Sequence, residues 1–224
     1  MISKLFASVS VDTNVFIHLY KSGCENLLFE FFNKVCVHEY IVETELKNND
    51  IDTYKKVKKA IKDKRIILYT NRDIVKLGLI NSFNEQFEDY KILFAGDLGE
   101  AYAVALSSAI GIPSFVSDDI KHGGPHETLV KGLIENVMPF AFYELLFIKY
   151  LKEDMYLEQL KYEFDIISNT MKKPMQFKSK MNETMRRFLI RNERDKLFIK
   201  ECSKIHKINV KEKVTKLREF INKI

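Results

Sequence analysis

The sequence predicts an α/β protein: a doubly wound parallel sheet flanked by helices, followed by an all-helical C-terminal extension. Three observations carry that expectation. Short apolar runs ending on polar or acidic residues alternate with helical patterns up to about residue 150. Beyond that point no strand pattern occurs, and 156–171, 181–204 and 210–224 all carry helical periodicity. Charge divides at the same place: residues 1–150 hold 17 Lys+Arg against 20 Asp+Glu, and residues 151–224 hold 19 against 11. The expected organisation is a domain over 1–150 and a basic helical extension over 151–224.

A chain of 224 residues, 46% of them apolar, can bury a sizeable core. No apolar run reaches the roughly 18 residues of a membrane span. The longest candidate, 137–148, is interrupted by Pro139 and Glu144, so no membrane partner is expected. The first residues lack a basic region followed by an apolar run and a cleavage site, so no secretory leader is expected. Cys24, Cys36 and Cys202 are odd in number and lack C-x-x-C spacing, which argues against a disulfide framework and a structural zinc site. A reducing cytoplasm is the expected setting.

The elements follow in order. Val9 and Val11 suit a buried parallel strand that ends on Asp12. Thr13 or Asn14 can cap the next helix, whose apolar stripe is Val15, Phe16, Leu19 and Tyr20. Residues 25–33 read as a helix and 34–38 as a second strand. Residues 40–48 read as a helix in which Glu45 borders the apolar stripe, with Glu43 about 200° round from it. A charged helix over 50–62, a strand over 65–70 and a helix over 72–90 come next. Asp97 and Glu100 open a small-residue helix in which Ala101, Ala105, Ser108 and Ala109 permit close packing, and Gly111 ends it. Residues 113–117 form a strand ending on Asp118-Asp119. His122 and His126, separated by Gly123, Gly124 and Pro125, are expected in a loop. A helix over 127–136, a short strand at 137–138 and a helix over 140–151 complete the domain.

Acids thus recur at strand ends and helix starts: Asp12, Glu45, Asp97, Glu100, Asp118 and Asp119. Strand ends share one edge of a parallel sheet, the edge where ligands bind in such folds. Gathered carboxylates are costly unless something neutralises them. Mg²⁺ or Mn²⁺ suits such oxygen donors and can assist phosphodiester hydrolysis. The chemistry these residues point to is metal-assisted cleavage of nucleic acid.

Four stretches, in this order, resemble the PIN-domain nuclease family: Val11-Asp12-Thr13-Asn14, Glu45-Leu46, Gly99-Glu100-Ala101 and Ser117-Asp118-Asp119. Glu100 and Asp118 are 18 residues apart, an interval the family shares, and 139–146 is similar to the family's closing strand and helix. The resemblance covers about 5–150 and leaves the extension unexplained. It implies a PIN-like fold and a Mg²⁺- or Mn²⁺-dependent endoribonuclease with Asp12, Glu45, Glu100 and Asp118 as its acidic quartet. Asp12 and Asp118 would be direct metal ligands, with Glu100 and Glu45 completing the site directly or through water. Asn14 and Ser117 match positions supporting the first acid and the substrate phosphate. Whether Asp118 or Asp119 is the ligand stays open, spacing favouring Asp118; Asp97 is also well placed as a helix cap. The third acid is Glu100 where many members carry Asp, which changes reach and not charge.

For the substrate, RNA, the expected contacts are Lys121 in the loop and Arg187, Arg191 and Arg194 on one helical face, all able to meet phosphates. The equal rival for that face is a partner-binding or self-associating module, a homodimer. Family members often act as toxins held by a protein antitoxin, which extends the expectation to a toxin–antitoxin or phage-defence role. Two alternatives remain at this stage: a non-catalytic RNA- or protein-binding module of the same fold, and a structure-specific DNA nuclease.

Overall fold

The computed structural model describes residues 6–118, 125–130, 137–152 and 154–224. Asp119, Lys121 and His122 lie outside the described residues. The chain forms two compact units, one ending at Phe142 and one from Tyr143 to Ile224. The sequence pattern placed the division at 150.

The first unit is built on five parallel strands: β1 (Phe6–Val11), β2 (Phe32–His38), β3 (Ile66–Tyr69), β4 (Ser114–Val116) and β5 (Met138–Phe140). Their order is β3-β2-β1-β4-β5, so the chain winds outward from β1 in both directions. Every neighbouring pair is parallel. The helices are α1 (Thr13–Ser22), α2 (Asn26–Phe31), α3 (Lys47–Asn49), α4 (Ile51–Lys62), α5 (Asn71–Lys76), α6 (Ile80–Leu93), α7 (Leu98–Ile110) and α8 (Pro125–Val130). The expected α/β sheet flanked by helices is therefore present. Val9, Val11, Val37, Phe115 and Val116 are fully enclosed, as apolar runs in a sheet covered on both faces should be.

Several boundaries differ from the sequence reading. The second helix stops at Phe31 and β2 starts at Phe32. Phe32 stacks on Phe6 of β1 with ring centroids 5.0 Å apart, a cross-strand contact that competes with helix continuation. The helix expected over 72–90 is two helices. Gly78, at φ 73°, breaks it, and Thr70 with Asp73 forms a capping box for α5. Residues 41–46 are π-helical, not α-helical. The last strand extends through Phe140, and Pro139 is tolerated there because β5 is an edge strand. His126, expected in a loop, lies in α8.

The second unit contains α9 (Phe142–Leu151), whose first residue ends the first unit, then α10 (Leu157–Ser168), α11 (Phe177–Arg186), α12 (Glu193–His206) and α13 (Val210–Lys223). The helix expected over 181–204 is interrupted. Residues Arg187–Arg191 are π-helical, and Asn192 leaves the helix in extended geometry to cap α12 through the Arg194 N–H. Inside, Phe147 stacks on Phe188 and Phe164 meets Phe177 edge-on. The Tyr150 hydroxyl donates to the Lys213 carbonyl at 2.9 Å. No helix among the described residues is long and apolar enough to cross a membrane.

Arg187 departs from its expected role. It is 3% exposed and its guanidinium is held by two carboxylates, Asp195 at 2.8 Å and Glu144 at 2.5 Å. Arg194 also reaches Asp195, at 3.3 Å. Arg191 alone of the three is exposed. The break at Asn192 destroys the common face that an unbroken helix would have given them. Removing Arg187 takes the bridging guanidinium from two buried carboxylates, Glu144 and Asp195, which costs about 3–5 kcal/mol. Arg187→Ala is therefore expected to lower the stability of the chain by that amount in urea unfolding, and Arg191→Ala to change it by less than about 0.5 kcal/mol.

Candidate active site at the carboxyl edge of the sheet

Parallel strands deliver the residues that follow them to one edge. Val11 of β1 pairs with Val116 of β4, so Asp12 and Ser117-Asp118 leave the sheet side by side. The Asp12 N–H donates to the Val116 carbonyl at 3.0 Å, which carries the ladder one residue beyond the strand. Asp12 then caps α1, its Oδ1 accepting from the Thr13 N–H at 2.7 Å. The Ser117 hydroxyl stands 3.5 Å from Oδ2, the outer limit of a hydrogen bond.

A second helix terminus meets the first. The Ser10 hydroxyl donates to the Ala103 carbonyl at 2.9 Å, and with Ala101, Ala103 and Ala105 buried this draws α7 close to β1. Asp97 caps α7, its Oδ1 accepting from the Glu100 N–H at 3.2 Å. Glu100 itself is 2% exposed in the first turn.

Glu45 joins the two termini. Its carboxylate accepts from the Thr13 hydroxyl and from the Gly99 N–H. Gly99 leaves room for this approach: a methyl group built there would meet the Glu45 carboxylate and turn it aside. Asp118 is also fully engaged. Its Oδ1 accepts from the Phe142 N–H at 3.1 Å, and its Oδ2 lies 3.0 Å from His18 Nδ1.

The electrostatic result is concentrated on Asp12. Burial, then the charges of Glu45 and Asp97, push its carboxyl up from 3.8 to about 8, with Asp118 adding to the same direction and the Thr13 N–H opposing it. Glu45 is raised as well, by burial first and then Asp97, against the hydrogen bonds from Thr13 and Gly99. These acids feel one another across the sheet edge.

Of the expected site residues, Asp12, Glu45, Asp97, Glu100, Ser117 and Asp118 come to this edge and the two helix termini beside it. Asn14 is exposed on α1, and Thr13 takes the linking role instead. His18 went unnoticed in the sequence reading, its signal being a histidine within an apolar helical stripe, and Gly99 was read as part of the Gly99-Glu100-Ala101 stretch without its contact to Glu45. Among the described residues no group of three or more His, Cys, Asp or Glu side chains is drawn together as a metal cluster. The Asp118 and Glu45 oxygens are turned to protein donors. Comparison of the chain with protein-family models, curated proteins and solved structures finds no match.

Two outcomes follow from this geometry. An acid whose folded pKa is raised binds a proton that the unfolded chain has released, so stability falls as pH rises from about 4 to about 8 and levels off above. Asp12→Asn should remove the share of that slope that Asp12 contributes, leaving that of Glu45. In EDTA, the unmutated chain should lose melting temperature between pH 5 and pH 8, and the variant should lose much less. Gly99→Ala should push aside the Glu45 carboxylate, the end of a flexible side chain, and change urea stability by less than about 1 kcal/mol; a loss of several kcal/mol would show that Glu45 cannot move.

Proposed function

We propose that this chain is a PIN-like nuclease, a Mg²⁺- or Mn²⁺-dependent endoribonuclease that hydrolyses RNA phosphodiester bonds. The observation that carries the reading is the placement of Asp12, enclosed at the sheet edge beside the end of β4 that delivers Asp118 and joined through Thr13 to Glu45. Buried carboxylates that disfavour each other's charge are the donor set that a hard divalent cation relieves. Asp12, Glu100 and Asp118 would hold the ion, with Glu45 next to them. When bound, such an ion supplies an activated water and neutralises charge on the phosphodiester.

The chain's own residues supply the arrangement. Thr13 fixes Asp12 through its N–H and Glu45 through its hydroxyl. His18 and the Phe142 N–H orient Asp118 from opposite oxygens. Ser117 sits beside Asp12 where a substrate phosphate would lie close. Arg191 and Arg194 are the candidate backbone contacts of the helical unit; Arg187 is committed to Glu144 and Asp195. A toxin role with a protein antitoxin, in the cytoplasm, belongs to the same proposal.

A second reading is favoured by one observation: the Asp118 and Glu45 oxygens are satisfied by protein donors. A non-catalytic binding module would keep them so. Cleavage of total cellular RNA in Mn²⁺ separates the two. The nuclease reading expects cleavage that the Asp12→Asn/Asp118→Asn double variant lacks, by at least about a hundredfold for removed metal ligands. Equal cleavage by both proteins, or none by either together with no Mn²⁺ uptake in a titration, would overturn it.

A further inference from the structure

A run of aromatic rings begins inside the first unit and ends beside the acids. His38 stacks on the buried Phe83 with centroids 5.3 Å apart and planes 19° apart. Tyr102 stacks on His38 at 4.6 Å and 12°, and Tyr40 stacks on Tyr102 at 4.4 Å and 25°. Phe87 braces Tyr102 at 4.2 Å. Enclosure decreases along the run: Phe83 and His38 are buried, Tyr102 and Tyr40 half-buried.

The inner rings are fixed. His38 Nδ1 accepts from the Tyr40 backbone N–H at 3.2 Å, so Nε2–H faces Asn71 Oδ1, also at 3.2 Å. Burial holds this imidazole neutral by lowering its pKa. Packing explains Phe83, His38 and Phe87. It does not explain Tyr40, whose hydroxyl has no hydrogen-bond partner and whose ring has Tyr102 as its one stacked neighbour among the described residues.

Tyr40 follows β2 and therefore leaves the sheet at the same edge as Asp12 and Asp118. Glu45 and Asp97 both act on its phenol, which burial and these charges hold above its ordinary range. The open end of the stack thus adjoins the acids. A nucleic acid brought there meets carboxylates that repel its phosphates, so a contact with an uncharged part of the strand has particular value. Aromatic rings supply it by stacking on a base, and every base has a face to offer.

We propose that Tyr40, backed by Tyr102 and His38, is a stacking platform for an unpaired nucleobase of the RNA strand bound at the acidic edge. The inference rests on the nuclease reading and adds one contact to its substrate, made by Tyr40 to the face of an unpaired base without sequence choice. Bases within a duplex have both faces covered and cannot reach such a platform.

The test uses the full chain carrying Asp12→Asn, so that binding is read without cleavage. Fluorescence anisotropy compares a labelled decauridylate with a ribose-phosphate strand of equal length lacking bases. The base-bearing strand should bind more tightly. Tyr40→Leu should weaken it roughly tenfold, leave the abasic strand unchanged, and be rescued by Tyr40→Phe. Photocrosslinking of a 4-thiouridine strand to the chain with Tyr40 intact should map to Tyr40 or Tyr102, which keeps the test independent of whether Tyr40→Leu folds. Equal binding of both strands, or crosslinks confined to other residues, would overturn the platform. Cleavage by the Asp12-intact chain is measured separately. Base-dependent binding without cleavage overturns the nuclease reading alone; cleavage with base-independent binding overturns the platform alone.

Discussion

Asp12 is 3% exposed at the point where the carboxyl edge of the sheet meets the first turns of α1 and α7, and three further acids bear on it. A carboxylate in that position is opposed by burial and by its neighbours' charge. The Thr13 N–H at the start of α1 offsets this at Asp12, while the Thr13 hydroxyl and the Gly99 N–H do the same for Glu45. Helix N-termini favour negative charge by the same field that N-caps exploit. The offset is partial, and the raised Asp12 is its remainder.

This constraint accounts for residue choices that packing alone would not require. Thr13 serves two acids because its N–H and its hydroxyl point to different partners. Gly99 leaves room for the Glu45 carboxylate, which a larger residue would push aside. The small residues of α7 and the Ser10 bond to Ala103 bring a helix start to within reach of a strand end. Each of these is a short polar or steric link between elements distant in the chain.

In the helical unit a different balance governs. Glu144, Arg187 and Asp195 form an enclosed ion network in which the guanidinium bridges two acids. Such a network contributes little compared with apolar packing of the same volume, yet is costly to leave half-made. It binds the π-helical segment Arg187–Arg191 to α12 and α9, so a residue rich in positive charge acts inside the unit.

How much of this was legible in the sequence varies with the kind of information involved. Alternation of apolar runs with helical periodicity was enough for a parallel α/β sheet and a helical extension, because burial of a strand or of a helical stripe is a local pattern. The positions of Asp12 and Asp118 at strand ends followed from the same pattern, since all parallel strands end on one edge. The role of Gly111 in ending α7 was equally local. Distant partners were not legible. That Thr13 and not Asn14 joins the acids, that Glu45 lies against Gly99, that His18 meets Asp118, and that Arg187 turns inward to Glu144 all depend on contacts between residues far apart in sequence. The break at Asn192 and the extension of β5 through Pro139 depend likewise on competing partners, a helix cap and a neighbouring strand. The sequence by itself determined the classes of element and which acids reach the sheet edge, because hydrophobic periodicity is written residue by residue. Only the tertiary structure decided which donors hold those acids, and how strongly burial and charge act on each, because these are properties of neighbours in space.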